Sequence, residues 1–277
     1  MGLSYYALKG DPDRHSEKTG VRLIIWGGCV FPVVVLAALL FFGLRMMPEL
    51  RRPADGPTIA VSGERFWWRI AYDIEGAPGV VRNLPQGGVP SANEIWLPVN
   101  KRTEVLLGSP DVIHSFWVPA LAGKMDAIPG RVNRLVLEPT RLGVFNGACA
   151  EFCGTAHAQM GLRVVVVSES EFEHYVEAQA KPAAIDDGAG LSLFLQNGCG
   201  GCHSVRGTPA QGGIGPDLTH VASRRTIAAG LLAMTEENVA AFIASPDHLK
   251  PGAEMPAFGV LPDGDVALMS QWLGSLK

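Results

Sequence analysis

An uncharged run near the N-terminus is the strongest constraint on how this chain can fold. Residues 23–44, LIIWGGCVFPVVVLAALLFFGL, contain no charged side chain and lie between Arg22 and Arg45. As a helix, the run would be roughly 33 Å long, and the hydrocarbon core of a bilayer is about 30 Å thick. It is too long for the apolar part of a signal peptide, and no small-residue cleavage pattern follows it. The sequence therefore predicts one uncleaved membrane helix over residues 22–45.

The region after the anchor contains short apolar or alternating runs separated by turn residues. TIAVSG, FWWRIAY, EIWLPV, EVLLG, VIHSFWV, RVNRLVLE and LRVVVVS are the clearest runs. Strands at this spacing indicate an all-β sandwich or barrel. ESEFEHYVEAQ, residues 169–179, is typical of a short helix that closes this domain.

The C-terminal region has a different character. AKPAAIDDGAG, residues 180–190, is rich in small residues and lacks apolar periodicity, which indicates a linker. GLSLFLQNG, TEENVAAFIASP and GDVALMSQWLGSL have helical spacing, and Thr235 and Asp265 mark two helix N-termini. We expect a small helical domain here, whose modest core would be stabilised by a bound cofactor.

Charge and cysteine usage narrow the function classes. The chain of 277 residues has 23 basic residues scattered among 27 acidic ones, which argues against a nucleic-acid-binding protein. Cys29 lies in the apolar run as a small apolar side chain, and the other four cysteines form two close pairs near histidines. Such pairs indicate metal or cofactor attachment rather than a disulfide framework.

The first pair lies in CAEFCGTAHAQM, residues 149–160, which offers Cys149, Cys153, His157 and Met160. Thiolate, imidazole and thioether together form the soft donor set that suits copper. A single copper in a β-sandwich uses one Cys, two His and a distant Met, which leaves one thiolate too many. Two cysteines can instead bridge two copper ions, each completed by one His and one weaker ligand. His114, in a predicted strand, supplies the second His.

Three other interpretations of this segment stay open. A zinc site from Cys149, Cys153, His157 and His114 satisfies the ligand count. A catalytic cysteine near His157 would leave the second Cys and Met160 without a role. A disulfide between the two cysteines is geometrically awkward and would leave the histidines without a purpose.

The second pair lies in CGGCH, residues 199–203, the Cys-x-x-Cys-His pattern of c-type haem attachment. Cys199 and Cys202 would bind the vinyl groups as thioethers, and His203 would lie under the iron. A thioredoxin-like dithiol is the rival interpretation, but it needs a βαβ context that this sequence lacks. The sequence therefore predicts one covalently bound haem c.

The tail resembles the class I cytochromes c. In that family a Met in a loop before the last helix is the second axial ligand, and Met255 in PGAEMPAFG has this position. A Met ligand raises the reduction potential relative to two histidines. GIGPDLTH, residues 213–220, resembles the loop in which Pro216 would support His203. The weaker candidates for an axial ligand are Met234, Met269, His220 and His248.

Residues 111–166, from DVIHSFWVP to MGLRVVV, closely resemble subunit II of the haem-copper cytochrome c oxidases. The resemblance implies a cupredoxin-like Greek-key sandwich with a mixed-valence dinuclear copper A centre. The implied ligands are His114, Cys149, Cys153, His157 and Met160, with Glu151 contributing its backbone carbonyl. In that family the Glu151 side chain also reaches a magnesium or manganese ion at the interface with subunit I.

The two resemblances imply an order of domains and a location. Basic residues flank the anchor on both sides, so they do not orient it. Haem attachment and copper loading of this kind occur outside the bacterial cytoplasmic membrane. We therefore expect a cytoplasmic segment (1–21), the transmembrane helix (22–45), a periplasmic or outer-surface cupredoxin domain (46–180), a linker (181–190) and an all-α cytochrome c domain (191–277).

The implied function is that of the subunit through which electrons enter a proton-pumping cytochrome c oxidase, with no catalytic residue in this chain. Electrons would pass from the fused haem c to copper A and on to subunit I, which reduces oxygen. The expected partners are subunit I, subunit III, and a soluble cytochrome c or a quinol-cytochrome c reductase. The alternatives are the corresponding subunit of a copper A-type nitric oxide reductase and a free-standing membrane-anchored electron carrier.

The aromatic patch through which the family receives electrons corresponds to FWWRIAY, residues 66–72. Phe66 stands where the family usually has the electron-receiving Trp, and Trp67 and Trp68 follow it. The candidates for electron reception are therefore Phe66, Trp67 and Trp68, although the two tryptophans also fit a role as core aromatics.

Overall fold

The N-terminal segment forms one long helix. The computed structural model describes residues 17–50, 52–72, 84, 87–185 and 188–277. α1 (Glu17–Leu23) continues through a π-helical stretch, Ile24–Val30, into α2 (Phe31–Leu50). In the described part of the chain, Glu17–Glu49 is the one helix long and apolar enough to cross a membrane, and an 18-residue window within it has a mean hydropathy of 2.6. The predicted anchor lies within it, whereas residues 1–16 of the predicted cytoplasmic segment lie outside the described residues.

The described residues of the next region form ten strands: β1 (Thr58–Glu64), β2 (Trp67–Tyr72), β3 (Val89–Ala92), β4 (Glu94–Pro98), β5 (Thr103–Gly108), β6 (His114–Trp117), β7 (Met125–Ala127), β8 (Asn133–Leu137), β9 (Gly143–Cys149) and β10 (Gly161–Val167). They form two five-stranded sheets with the orders β3-β2-β1-β5-β8 and β4-β10-β9-β6-β7. β1 pairs with β5 and β4 with β10 in parallel, and the other pairs are antiparallel. The predicted cupredoxin-like sandwich is confirmed.

Alternation along the strands decides which side chains form the core. In β2, Trp68, Ile70 and Tyr72 are fully buried, whereas Trp67 and Arg69 point to the opposite face. The antiparallel pairing of β1 and β2 places Val61 opposite Ile70, so the two apolar faces coincide. Because side chains alternate between the two faces of β2, Trp68 lies in the core and Trp67 is half-buried.

α3 (Glu169–Ala180) closes the sandwich as the sequence predicts. Ser168 caps the helix, because its hydroxyl accepts a hydrogen bond from the Glu171 N–H while the Glu171 carboxylate accepts one from the Ser168 N–H. The buried side chains of Phe172 and Val176 face the sandwich core. The N-terminus of α3 is therefore capped, and its apolar side chains are buried against the sandwich.

The C-terminal region contains α4 (Ala189–Gln196), β11 (Thr226–Ile227), β12 (Leu232–Ala233), α5 (Glu236–Ala244), α6 (Pro246–Leu249) and α7 (Asp263–Ser275). α4 crosses α7 closely, since a Cβ on Gly190 would lie 2.3 Å from the Cβ of Trp272. Thr235 caps α5 by accepting a hydrogen bond from the Asn238 N–H. The predicted helices are present, and the short β11–β12 hairpin is an addition that the all-α expectation missed.

We call residues 54–180 the sandwich domain and residues 188–277 the helical domain. Both belong to one compact part of the chain, residues 54–277, whereas residues 1–53 form a separate one. Hydrogen bonds join the two domains directly. The Arg225 N–H donates to Oε2 of Glu94 at 2.9 Å, and Nη2 of Arg69 donates to the Gly213 carbonyl at 2.9 Å. The loops of the helical domain therefore rest on the surface of the sandwich.

Candidate functional site

The first candidate site is built on the β9–β10 connection. Cys149 ends β9, and the chain returns to β10 after a short 3₁₀ turn, His157–Gln159. The Cys149 N–H donates to the Met160 carbonyl at 2.9 Å, which closes this loop at its base. Gly154 has φ = +134°, and a Cβ there would lie 2.9 Å from Cζ of Phe66. A glycine is needed here so that the loop can fold back over its own base.

β6 brings the remaining imidazole to this loop. β6 pairs with β9, with Phe116 opposite Cys149, so His114 at the start of β6 reaches the same end of the sheet. His114 and Met160 are fully buried, and Cys149 and Cys153 are each 6% exposed. His157 is half-buried. The five side chains that the sequence singled out therefore converge at one edge of the sandwich.

The distances between the donor atoms form a paired arrangement. The two Sγ atoms are 3.9 Å apart; Sγ of Cys149 lies 3.9 Å from Nδ1 of His114, and Sγ of Cys153 lies 3.7 Å from Nδ1 of His157. Two weaker donors complete the set. Sδ of Met160 is 3.9 Å from Sγ of Cys153, and the Glu151 carbonyl is 3.2 Å from Sγ of Cys149. Each sulfur thus has one imidazole and one weak donor beside it.

The two thiols have opposite tendencies to ionise. Burial alone raises the pKa of Cys149, but the hydrogen bond with His114 and bonds from backbone groups outweigh it and bring this pKa to about 7. Burial and the neighbouring Cys149 charge raise the pKa of Cys153 to about 12. At neutral pH a nearby cationic charge would favour the thiolate form of both groups, and bound metal ions would supply that charge.

The donor chemistry fits copper. Two thiolates, two imidazoles and a thioether form a soft set, and Met160 would have no purpose at a tetrahedral zinc. Cys149 and Cys153 are not joined by a disulfide in this structure, because the 3.9 Å separation of the sulfurs far exceeds a bonded distance of about 2.05 Å. Among the described residues, His114, Cys149 and Cys153 are the one group of His, Cys, Asp or Glu side chains close enough to share an ion.

Asp111 resembles a docking acid of the family and also fits a turn cap, but its contact with His114 was not predicted from the sequence. Its Oδ1 accepts a hydrogen bond from Nε2 of His114 at 2.9 Å, which leaves Nδ1 directed at Cys149. Asp111 also accepts hydrogen bonds from the N–H groups of Arg65 and Val112, and so fixes the turn before β6. Carboxylates commonly orient a metal-binding histidine in this way. The spacing of three residues between Asp111 and His114 was the available signal.

The Glu151 side chain lies apart from the sulfur cluster. Its carboxylate is about half exposed, and its Oε2 lies 3.9 Å from Nζ of Lys124. The side chain belongs to none of the three-residue groups that could hold an ion in the described part of the chain. The Glu151 carbonyl therefore faces Sγ of Cys149, whereas the Glu151 carboxylate lies at the surface.

The second candidate site surrounds the turn after α4. Cys199 and Cys202 are partly buried at either end of a 3₁₀ turn, Cys199–Gly201, and His203 follows. Nδ1 of His203 donates to the Pro216 carbonyl at 2.8 Å, as the predicted support by Pro216 requires. Burial lowers the pKa of His203 and favours the neutral ring. Nε2 is thereby left to bind an iron, so these residues fit a covalent haem.

The candidates for the opposite axial position differ in environment. Met255 is partly buried in the loop between α6 and α7, against the core of the helical domain. Met269 is fully enclosed by that core, and Nε2 of His220 is bonded to the Lys181 carbonyl at 2.9 Å. His248 is exposed on α6. Met234, after β12, is also partly buried against this core. Met255 and Met234 are thus the candidates outside helices with no competing hydrogen bond, and Met255 is the one in the loop before α7.

The aromatic residues of FWWRIAY do not form an exposed patch. Phe66 is 6% exposed and Trp68 is fully buried, with its ring 6.1 Å from the His114 ring. Trp67 is half-buried, and the Arg69 guanidinium lies 4.6 Å from its ring centre. Arg69 in turn contacts the helical domain through Gly213. This face of the sandwich is therefore next to the helical domain.

Comparison with known proteins gives two matches to protein families. The family described as cytochrome C oxidase subunit II, periplasmic domain, matches residues 83–168, and cytochrome c matches residues 188–277. The first range contains all the candidate copper ligands, and the second contains CGGCH and Met255.

Individual relatives agree with these matches. Cytochrome c oxidase subunit 2 of Alkalihalophilus pseudofirmus is 36% identical over 223 residues, covering 79% of this chain and 61% of that protein. Cytochrome c oxidase subunit 2 of Bacillus sp. strain PS3 is 30% identical over 278 residues, covering 92% of this chain and 74% of that protein. The chain thus spans less than two thirds of the first relative and more than two thirds of the second.

A solved structure is also similar to part of the chain. The periplasmic domain of subunit II of cytochrome oxidase from Bradyrhizobium japonicum is 33% identical, with a TM-score of 0.40. The match covers 46% of this chain and 95% of that domain.

Proposed function

Because the chain belongs to the cytochrome c oxidase subunit II family and ends in a cytochrome c domain, we propose that it is the subunit through which electrons enter a terminal cytochrome c oxidase. The observation that carries this proposal is the convergence of Cys149, Cys153 and His114 with two further soft donors in the sandwich domain. Oxygen reduction and proton pumping belong to subunit I in this proposal, and no residue of this chain has a catalytic role.

The side chains of the sandwich domain would hold a dinuclear copper A centre. The two copper ions would be held by Cys149, Cys153, His114 and His157, with Met160 and the Glu151 carbonyl as weaker ligands. The sulfur and nitrogen positions support these roles, because each thiol already faces one imidazole. A rigid, buried donor set changes little in geometry when the charge of the centre changes.

The helical domain would hold one haem c. Cys199 and Cys202 would form the thioether bonds, and His203 and Met255 would bind the haem iron. When bound, the haem and the copper ions would supply one-electron transfer chemistry. The role of the protein is to supply the ligands and to keep the haem near the copper ions. Because the haem domain is part of the same chain, its effective concentration near the copper site would be high, of the order of millimolar.

The location and partners follow from the family and from the surface near the copper ligands. The sandwich and helical domains would lie on the periplasmic or outer side of the bacterial cytoplasmic membrane, anchored by the single N-terminal helix. Phe152 is 77% exposed, with its ring 5.7 Å from that of His157, and Trp117 is 40% exposed. Such apolar groups beside a metal site suit a docking face for subunit I. The Glu151 carboxylate is the group that would bind magnesium or manganese there.

The proposed complex has further members and a donor. Subunit III is expected beside subunit I, and a soluble cytochrome c or a quinol-cytochrome c reductase would reduce the haem. Phe66, Trp67 and Trp68 remain the aromatic candidates for an electron path into the sandwich domain. Trp68 has the clearest geometry for it, because its ring stands edge to face against that of His114.

A spectrum of the purified membrane complex, recorded with and without dithionite while oxygen uptake is measured, tests this function. We expect haem c, near-infrared copper absorption, oxidase haems and oxygen consumption in one preparation. Nitric oxide reduction without oxygen uptake would instead identify the related reductase. A chain that purifies alone, with haem and copper but without a multi-helix partner, would identify a free-standing carrier. Either outcome would overturn the proposal.

A further inference from the structure

The tip of the β11–β12 hairpin has a strained backbone. Ala228, Ala229 and Gly230 have φ values of 53°, 62° and 82°. The left-handed region is unfavourable for residues with a Cβ, so two consecutive alanines there need external support. The hairpin itself is only two residues long on each side and cannot supply that support.

The support comes from three hydrogen bonds accepted by successive carbonyls. The Ala228 carbonyl accepts from Nζ of Lys250 at 2.9 Å, the Ala229 carbonyl from the Gly161 N–H at 2.9 Å, and the Gly230 carbonyl from Nη2 of Arg163 at 3.3 Å. Gly161 and Arg163 belong to β10 of the sandwich domain. The left-handed backbone therefore directs three successive carbonyls at hydrogen-bond donors. Two of these donors belong to the sandwich domain.

Lys250 joins the two domains at a buried position. It is 4% exposed, and its Nζ donates both to Ala228 of its own domain and to the Phe66 carbonyl of the sandwich domain, the latter at 2.6 Å. Burying an ammonium group is unfavourable unless hydrogen bonds compensate, and burial lowers the pKa of Lys250 to about 7. The hydrogen bonds to these two carbonyls compensate for the burial of the Lys250 ammonium group.

The residues next to Lys250 contact the turn that carries a candidate copper ligand. Nε2 of Gln159 donates to the Leu249 carbonyl at 3.3 Å, and the Thr155 hydroxyl donates to the Pro251 carbonyl at 3.0 Å. Thr155 and Gln159 lie on either side of His157. The same loop of the helical domain continues to Met255, so it connects the two candidate metal-binding regions over a short stretch of chain.

We propose that Lys250 and the hairpin tip 228–230 form a docking latch, which holds the helical domain on the sandwich domain with the loop of Met255 against the turn of His157. Lys250 is then a positioning residue, since its hydrogen bonds go to two backbone carbonyls and to no candidate metal ligand. The consequence for electron transfer rests on the proposed function, whereas the docking itself does not.

Hydrogen exchange in the purified full-length chain tests the docking without any electron transfer. The Gly161 and Arg225 amides donate across the interface, so they exchange when the domains separate. Lys250→Met keeps the apolar stem but removes the ammonium group. We expect both amides to exchange about tenfold faster, because hydrogen bonds from a charged group contribute at least this factor. Lys277→Met, at an exposed lysine, should leave both rates unchanged.

Amides inside each domain separate docking from folding. The Val239 N–H is bonded to the Thr235 carbonyl within the helical domain, and its exchange should stay constant in Lys250→Met. Equal acceleration at Val239 and Gly161 would mean general unfolding, and unchanged exchange at Gly161 would also overturn the latch. If Lys250→Met fails to fold, Arg163→Gln, which weakens the bond to Gly230, is measured by the same criteria.

The functional part of the inference is measured in the assembled complex. After rapid photoreduction of haem c, the Lys250→Met complex should pass electrons to copper more slowly, while the haem and copper spectra match those of the wild type. An unchanged transfer rate alongside faster Gly161 exchange would show that docking does not position the haem. If the preparation lacked copper or haem, the proposed function would fail, and the exchange experiment would still decide whether the latch exists.

Discussion

Oδ1 of Asp111 and Nε2 of His114 lie 2.9 Å apart, and this hydrogen bond directs the other ring nitrogen of His114 at Cys149. Burial opposes a rise in the pKa of His114, but hydrogen bonds with Cys149 and then with Asp111 raise this pKa. The bond with His114 also lowers the pKa of Asp111, although burial alone would raise it. A carboxylate behind a ligating imidazole fixes the ring and increases its basicity.

Asp111→Asn should therefore weaken copper binding without removing a ligand. We expect a loss of about 10-fold to 100-fold in copper affinity, the usual effect of changing such a partner. Competition with a copper chelator, followed by the near-infrared absorption, measures this affinity. Asp263→Asn, at an exposed position in the helical domain, is the control. Equal affinity in Asp111→Asn and the wild type would show that Asp111 only caps the turn before β6.

His157→Ala should change the copper spectrum while leaving the haem intact. Nδ1 of His157 is 3.7 Å from Sγ of Cys153, so the substitution removes one imidazole from the donor set. We expect altered near-infrared absorption and slower oxidase turnover, with normal reduction of haem c by the donor. His174→Ala, on the exposed face of α3, should match the wild type in all three measurements. Unchanged copper absorption in purified His157→Ala would rule out this ligand.

Gly215→Ala should disturb the histidine of the haem site. A Cβ on Gly215 would lie 2.6 Å from Cε1 and 2.8 Å from Nδ1 of His203, whereas a Cβ on Gly213 would meet nothing within 4 Å. We expect Gly215→Ala to have a changed ferric haem spectrum or a lower haem content, and Gly213→Ala to resemble the wild type. The pyridine haemochrome assay and the absorption spectrum measure the two properties. Identical results for the two variants would contradict the assigned position of the His203 ring.

Ser168→Ala should destabilise α3 by removing the capping box. Loss of such a cap costs about 1 kcal/mol, which denaturant unfolding of the full-length chain measures. Ser192→Ala, at an exposed position in α4, is the control. A free energy of unfolding that falls equally in both variants would show that the cap has no specific effect.

The same cap predicts a pH dependence. The Ser168 hydroxyl and N–H hydrogen-bond to Glu171 and hold the pKa of that carboxyl below its usual value. A lowered folded-state pKa contributes stability above the unfolded pKa, about 4.3 for Glu, and this contribution disappears as the pH falls through the folded value. The stability difference between wild type and Ser168→Ala should therefore shrink in acid. A difference that grows below pH ~4 would have the wrong sign.

Much of the fold is present in local sequence patterns. The alternation in FWWRIAY gives β2 and its buried face, and the Ser168–Glu171 spacing is that of a capped helix. β9 was missed because Gly143, Asn146 and Gly147 weaken its strand propensity, and pairing with β10 supplies what the local sequence lacks. The extended conformation of β9 therefore depends on its neighbours in the sheet rather than on its own residues.

The candidate donor set of the proposed copper site could be listed from residue types, whereas its surroundings could not be predicted. Spacing identified Cys149, Cys153, His157 and Met160 because the soft donors are close in sequence. The contact between Asp111 and His114 depends on the turn before β6. Lys250 has the sequence appearance of a surface lysine after a short helix, and only the packing of the two domains buries it.

The contact between Gly161 and Ala229 has an evolutionary consequence. A Cβ on Gly161 would lie 3.0 Å from the Ala229 carbonyl, so a side chain at this position would press on the helical domain. In relatives without a helical domain this contact would not exist, and we expect larger residues to be tolerated there more often. Across the family, glycine at position 161 should therefore occur together with the fused helical domain. A change at this position would then accompany the gain or loss of that domain.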